Sequence, residues 1–372
     1  MTNFPRPLRI ALLGSRGIPA AYGGYETFYE ELSWRLVERG HEVTVYCRSQ
    51  YTPKKLKEHR GARLVVLPTL RTKHLDTPVH TLLSSLDTWR RRFDVALLVN
   101  GANAVFVPLL RLGRLPTALH VDGIEKQRSK WGALGRFVYS TSERLACRLP
   151  NRLVTDAEVI EAHYLELYDT ASVMIPYGVD PVHEPAGEVL GRLGLSSRGY
   201  FLYVSRFERE NNPHRVAEAY RSVPGDVPLV MVGDAPYADA FIESFRSGAD
   251  ERILFPGAIY GAGYRELQSH ALAYVQATEV GGTHPALVEA MGFGNCLLVN
   301  GTPENSEVAG PEALYFDAHE PETLARQFRW VLEHPAEVEQ RRRAMAERAR
   351  AEYSWEAVTD RYETLFSELA AR

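Results

Sequence analysis

Short apolar runs alternate with longer amphipathic stretches along most of the chain. Arg9–Gly14 (RIALLG) is apolar on both faces, which fits a strand buried in a parallel sheet. Tyr25, Phe28, Leu32 and Leu36 then recur at helical spacing until Gly40, which predicts an amphipathic helix closed by glycine. His41–Cys47, Arg63–Pro68, Val95–Asn100 and Thr117–Val121 are further strand candidates. Helical patterns cover His80–Phe93, Ala104–Leu112 and Leu134–Leu149.

The second half repeats the plan. Tyr200–Ser205, Leu229–Gly233, Ile253–Phe255, Leu272–Gln276 and Leu297–Val299 have strand character, with helices such as Pro213–Ser222 between them. Residues 321–372 look helical throughout, with a break near Tyr353–Trp355. Strands interleaved with helices predict doubly wound parallel sheets. The expected architecture is therefore two Rossmann-like α/β domains facing one another across a cleft, with ligands at the carboxyl ends of the strands. Pro181–Gly194, with Pro181, Pro185 and Gly187, is the expected linker.

Length and composition fit that plan. The chain has 372 residues, 45% hydrophobic and 24% charged, enough for two cored domains. No apolar run reaches the roughly 20 residues that span a bilayer, and the N-terminus has no signal-peptide core. Cys47, Cys147 and Cys296 are scattered without metal-ligand spacing. A cytoplasmic protein is expected. The net charge of -4 conceals an asymmetry: residues 1–150 hold 24 Lys+Arg and 12 Asp+Glu, leaving 19 and 35 for the rest. A basic first half suits an anionic membrane surface or a lipid phosphate; solvated charge and attraction between the halves are the alternative. Nothing in the pattern indicates nucleic acid.

Four segments carry candidate chemistry. Gly14-Ser-Arg-Gly17 through Gly23-Gly24 links the first strand to the first helix. Nicotinamide binding would want G-x-G-x-x-G and an acid about 20 residues on; the second strand instead ends Tyr46-Cys47-Arg48. Gly23 and Gly24 at a helix start let backbone amides approach a phosphate, unless the loop binds nothing. His120-Val-Asp122-Gly123-Ile-Glu125 closes a strand: His120 is placed to donate to a hydroxyl or phosphate, Asp122 to accept an acceptor proton. Lys126, Arg128, Lys130 and Trp131 follow, suited to an anionic or sugar acceptor or to solvent alone.

In the second half, Arg206 offers a rigid fork for a diphosphate. Asn211-Asn212-Pro213 predicts an N-cap at Asn212 and leaves Asn211 for a ligand. Glu279-Val-Gly-Gly282-Thr283-His-Pro-Ala286-Leu287-Val-Glu289 leads into a helix. Its amide tip is an anion seat, and a carboxylate one turn inside must bind something polar and neutral, such as sugar hydroxyls. Phosphate beside hydroxyls describes a nucleotide sugar. The pair Glu279 and Glu289 raises glycoside hydrolysis, but their helix-tip setting favours phosphate. No Asp-x-Asp occurs, so a metal-clamped diphosphate is not indicated and no metal or other cofactor is expected.

In these residues the chain resembles glycosyltransferase family 4, the retaining enzymes of GT-B fold. The matches are the N-terminal glycine loop, Ile175-Pro-Tyr-Gly178-Val-Asp180, Ser205-Arg206-Phe207, Thr283–Met291 and Tyr353-Ser-Trp355-Glu356. Arg16–Phe28, HVDGIE with Lys130–Gly132, and GGTHPALVEAM resemble the bacterial rhamnosyltransferase branch, which uses dTDP-rhamnose in surface-polysaccharide assembly. Two positions depart from the family. Eight residues before Glu289, where a first glutamate is usual, stands Gly281; Glu279 is the nearest substitute. The usual diphosphate lysine, five positions after the arginine, is Asn211.

The resemblance implies residues 1–182 on the acceptor side, 190–355 on the donor side, and a last helix at 356–372 crossing back to the first domain. It implies metal-independent, retaining transfer of a deoxyhexose to a sugar hydroxyl. Gly23, Gly24, Arg206, Asn211, Glu279, Gly282, Thr283, Ala286, Leu287 and Glu289 would face the donor. His120, Asp122 and Glu289 would serve the chemistry, and Glu125, Lys126, Arg128 and Lys130 the acceptor, a saccharide that a lipid could carry. The rivals are a UDP-hexose transferase, a nucleotide-sugar epimerase and a non-catalytic sugar-binding scaffold.

Overall fold

The computed structural model describes residues 6–20, 23–70, 72, 75–123, 133–235 and 238–371, and the side chains of all of these except 133–139. The chain forms two compact units, Met1–Gly178 with Trp355–Arg372, and Val179–Ser354. The division falls at Gly178, ahead of the expected linker, part of which is a short helix inside the second unit.

Unit 1 runs β1 (Arg9–Leu13), α1 (Gly24–Glu38), β2 (Glu42–Arg48), β3 (Glu58–His59), β4 (Ala62–Leu67), α2 (Asp76–Asp87), β5 (Val95–Val99), α3 (Val107–Leu112), β6 (Thr117–Val121), α4 (Ala133–Ala146), β7 (Arg152–Thr155), α5 (Glu158–Tyr168) and β8 (Val173–Met174). Its sheet has the order β3-β4-β2-β1-β5-β6-β7-β8, parallel except for the β3 edge. The chain winds outward from β1 to β4, then returns past β1 to β5. Ile10 therefore has Val43 on one side and Val95 on the other. Burial on both faces explains why these strands are unbroken apolar runs.

Unit 2 runs α6 (Glu188–Leu193), β9 (Phe201–Val204), α7 (Pro213–Tyr220), β10 (Leu229–Val232), α8 (Asp239–Arg246), β11 (Ile253–Gly257), α9 (Gly261–His270), β12 (Ala273–Gln276), α10 (Pro285–Gly292), β13 (Cys296–Asn300), α11 (Pro303–Ala309), β14 (Leu314–Phe316), α12 (Pro321–Glu333) and α13 (Pro335–Glu352). Its parallel sheet, β11-β10-β9-β12-β13-β14, reverses direction between β9 and β12. That reversal is the topological switch point where doubly wound sheets bind ligands. Two Rossmann-like domains are thus present, as the pattern predicts. The short strands β7, β8 and β14 were not apparent in it.

The break near Tyr353 separates α13 from α14 (Trp355–Ala370), which belongs to unit 1. Trp355, Tyr362, Phe366 and Leu369 of α14 share a core with Phe28, Leu32 and Leu36 of α1. At about 1.5–3 kcal/mol for each large apolar side chain buried, this face alone accounts for the docking. Polar contacts fix its register: His41 Nε2 lies 2.8 Å from the buried Glu363, and Arg39 reaches Glu356, Asp360 and Glu363. Gly178 allows the close pass, because a Cβ there would lie 2.6 Å from the Trp355 ring.

Candidate active site

In unit 2 the loops after β9 and β12 meet at the switch point. Glu279 N donates to Glu210 O at 2.9 Å, and Asn212 Nδ2 donates to Ala277 O at 2.9 Å and to Glu279 Oε1 at 2.8 Å. Asn212 is therefore not the expected side-chain cap: its backbone is left-handed, and its amide crosses to the neighbouring loop instead of the helix behind it. Asn211 is also corrected. It is buried, and its Nδ2 donates to Arg206 O at 2.7 Å, so it shapes the arginine loop rather than presenting its amide outward. Arg206 itself is half-exposed and pairs with Glu208 at 3.6 Å. Arg209 lies over the Phe241 ring. Behind the loop, Gly233 is required by space: a Cβ would sit 1.9 Å from Ser205 O.

The 277–284 loop is pinned from below. Asn300 and Asn305 both donate to Thr278 O, at 3.2 and 2.9 Å. Gly281 has a φ of +154, and the His284 ring occupies the space of its absent Cβ at 2.4 Å. A side chain at position 281 would require the His284 ring to move and would be strained at this φ. Glu279 is braced by Asn212 and by His319 Nε2 at 3.2 Å.

Pro285 opens α10, with His284 as its N-cap residue. Gly282, Thr283 and Ala286 lead into or lie on its first turn. Leu287 does not join them as a donor: its amide is taken by His284 O at 3.0 Å and its side chain is in the core. Glu289 stands half-buried one turn in, and Tyr264 OH of α9 donates to its Oε2 at 2.5 Å. Gln268 Nε2 donates to Tyr264 OH at 2.9 Å, and Asn295 Nδ2 donates to Gln268 Oε1 at 3.0 Å. Burial, then the Glu289 carboxylate, pushes the Tyr264 hydroxyl well above its usual range, so it stays a donor. This relay was missed in the sequence, although Tyr264 and Gln268 are spaced to share one helix face. Glu266 was also missed. It is a structural acid, accepting from the amides of Gly187, Val189 and Leu190 at the start of α6.

Unit 1 presents a different picture. Gly14 and Gly17 have positive φ, and a Cβ on Gly14 would lie 2.6 Å from Val99 O. The glycine loop is tied to α1 by acids: Arg16 N donates to Glu26 Oε1 at 2.8 Å and Ala20 N to Glu30 Oε2 at 2.5 Å. Gly23 is the N-cap of α1 and Gly24 its first residue, yet Glu26 Oε2 sits 3.1 Å from the Cβ position of Gly23. A phosphate at this tip would meet a carboxylate, so the expected anion seat at Gly23 and Gly24 is compromised. Burial raises the Glu26 carboxyl above its ordinary value.

His120, on β6, is entirely buried. Tyr362 OH and His120 Nδ1 are 3.0 Å apart, and the rings of Tyr25, Phe28, Tyr177 and Tyr362 surround it. Its Nε2 has no hydrogen-bond partner among the described residues, and burial lowers its pKa from 6.5 to about 3. The structure thus corrects the expectation for His120: it is a neutral imidazole walled off by aromatics. Asp122, just past the strand, is half-buried. Burial, then the Asp122 charge, raises the Tyr25 hydroxyl well above its usual range. Glu125, Lys126, Arg128 and Lys130 lie outside the described residues. Among the described residues, no group of three or more His, Cys, Asp or Glu could hold a metal ion.

Comparison with known proteins assigns the class. A model of the glycosyl transferases group 1 family matches residues 193–352, and a glycosyl transferase 4-like domain matches residues 23–178. Together they cover most of the chain, which is a glycosyltransferase of GT-B fold. Sucrose-phosphate synthase from Thermosynechococcus elongatus superposes with a TM-score of 0.83 at 19% identity, over 98% of this chain and 99% of that one. HepE of Anabaena, in complex with UDP-glucose, gives 0.79 at 16%, over 97% and 100%. The catalytic domain of starch synthase IV from Arabidopsis thaliana, bound to ADP and acarbose, gives 0.72 at 13%, over 99% and 100%. No curated protein matches the sequence.

Proposed function

We propose that this glycosyltransferase moves a deoxyhexose, rhamnose from dTDP-rhamnose, to a sugar hydroxyl in bacterial surface-polysaccharide assembly, with retention and without a metal ion. The observation that carries the donor side is the convergence at the unit 2 switch point. There a half-exposed Arg206 shares the loop cluster with Glu279, near the α10 tip that bears the braced Glu289. Arg206 and the amides at Gly282, Thr283 and Ala286 neutralise the diphosphate, and Glu289 accepts hydrogen bonds from ribose or sugar hydroxyls. The family models and the nucleotide ligands of the similar structures support a nucleotide sugar; the Arg16–Phe28 and HVDGIE motifs support rhamnose.

In the proposed reaction the bond from the sugar's C1 to the diphosphate oxygen breaks and the acceptor oxygen bonds C1 on the same face. The acceptor proton passes to the leaving phosphate, which is released as dTDP. Oxocarbenium character at C1 is stabilised by the departing diphosphate, itself held by Arg206. Asp122 orients the acceptor hydroxyl. His120, sealed in aromatics, sets the end of β6 and does not touch substrate. The 125–130 segment is assigned to the acceptor, a saccharide that a lipid could carry, on sequence alone.

The UDP-glucose complex of HepE makes a UDP-hexose the second reading. Nucleoside diphosphate release across a panel of donors, with bacterial glycolipid as acceptor, separates the two: release from dTDP-rhamnose supports the proposal, and release from UDP-glucose alone replaces it. Turnover of donor without acceptor would mean an epimerase. Donor binding without release under any acceptor would mean a scaffold.

A further inference from the structure

Helix α2 is built inside out. Its inward face is polar: His80, Thr81, Ser84 and Ser85 are wholly buried, and Thr88 of the following 3-10 turn (Thr88–Arg90) nearly so. The hydroxyls are satisfied locally, whereas both His80 ring nitrogens are buried with no hydrogen-bond partner among the described residues. Ser84 and Ser85 hydroxyls donate to the carbonyls of His80 and Thr81, and Thr81 Oγ1 donates to Asn103 Oδ1 at 3.0 Å. Asp76 is paired with the buried Arg48 at 2.6 Å. The outward face is apolar. Leu75, Leu82, Leu86 and Trp89 are 48%, 38%, 37% and 48% exposed, and Val79 and Leu83 between them are half-buried. Spacings of three, four and seven put them on one stripe.

The stripe continues onto α3. Trp89 Nε1 donates to Leu109 O at 3.0 Å, and Leu112, on the same short helix, is 72% exposed. Arginines border it: Arg90, Arg92, Arg111 and Arg114 are all exposed. The acids nearby are committed elsewhere, Asp87 to Arg91 and Asp94 to Arg6 and Arg9. A contiguous apolar stripe on a surface helix marks a docking site.

We propose that this face rests on an anionic phospholipid membrane, with the leucines and Trp89 in the headgroup–acyl boundary and the arginines on lipid phosphates. Charge complementarity selects this occupant. A two-fold contact between copies sets the same patch against itself, and this patch brings no uncommitted acid to meet the arginines, since Asp87 and Asp94 are already paired within the chain. An anionic leaflet instead attracts each arginine, and a lone tryptophan suits the interface. No helix among the described residues is long and apolar enough to cross a membrane, so the contact is interfacial. The inference goes beyond the proposed reaction and does not depend on it, because its test uses no donor.

The test is co-sedimentation of the whole protein with phosphatidylcholine vesicles, with and without phosphatidylglycerol. Binding should require phosphatidylglycerol and fall with salt. Arg90→Glu with Arg92→Glu should weaken it at least about tenfold, and Leu82→Ser with Leu86→Ser should do likewise. Leu165→Ser with Leu167→Ser, exposed on α5, serves as control and should bind like wild type. Unchanged far-UV circular dichroism confirms that the variants fold. The proposal is overturned by indifference to phosphatidylglycerol or by equal loss in the control. A concentration-dependent dimer that the Leu82→Ser, Leu86→Ser pair dissolves would assign the face to a second copy instead.

Discussion

The two units share one winding scheme and furnish the carboxyl ends of their strands in opposite ways. In unit 2 the first strand ends in a half-exposed arginine, and polar side chains brace a half-buried glutamate from behind. In unit 1 the histidine at the corresponding end of the sheet is closed in by four aromatic rings and held neutral. Topology fixes where a ligand can sit, but what it meets depends on whether the strand-end side chains face solvent or core. In the proposed reaction the charge of unit 2 meets the diphosphate, whereas unit 1 contributes Asp122 and a rigid frame.

The largest effect expected from this contrast is at Arg206. Arg206→Ala should lower nucleoside diphosphate release by about 10²–10³-fold, since it removes the proposed charge-assisted contact to the leaving group. Near wild-type kinetics would refute the clamp. Asp122→Asn should reduce transfer by about 10²-fold while donor affinity is kept. If affinity collapses instead, Asp122 belongs to the donor and the contrast between the units is lost.

The aromatic enclosure of His120 should appear as stability. Tyr362→Phe removes the partner of Nδ1 and leaves both ring nitrogens buried without one, an expected loss of about 1–3 kcal/mol in denaturant unfolding. An unchanged midpoint would mean that His120 is not held as described. The same enclosure sets a pH dependence. His120 and His80 have folded pKa values lowered from 6.5 to about 3 and about 4. Between those values and 6.5 the unfolded chain binds protons that the folded chain does not. Stability should therefore fall as pH drops below about 6.5, and His120→Gln should flatten that slope.

The smallest effect tests the brace. Tyr264→Phe removes one hydrogen bond to Glu289 and should raise the donor KM about tenfold, with kcat less affected. A purely structural tyrosine would shift the thermal midpoint and leave KM alone.

Much of the fold was legible because its information is local. Buried parallel strands such as β1 and β13 are continuous apolar runs, and Gly40, Pro213 and Pro285 mark helix ends. The loop positions of Arg206 and Glu279 and the place of Glu289 on the helix that follows were also legible, since glycine, proline and charged residues cluster at the strand ends. What could not be read was long-range. Asn211 and Asn212 were read as a ligand group and a cap, and the structure turns their amides onto Arg206 O and the 277–279 loop. The burial of His120 depends on Tyr362 in a helix far along the chain. Glu266, Tyr264 and Asn295 gain their meaning only from partners brought in by the sheet. Helix α2 has a visible period, but period alone does not say which face points inward.

The most direct measurement is calorimetric titration of dTDP into the wild-type protein, Arg206→Ala and Asp122→Asn, each with and without a chelator. Affinity should fall strongly in Arg206→Ala, stay at the wild-type level in Asp122→Asn, and be unchanged by chelation. Retained binding in Arg206→Ala, loss in Asp122→Asn, or dependence on a divalent ion would contradict it.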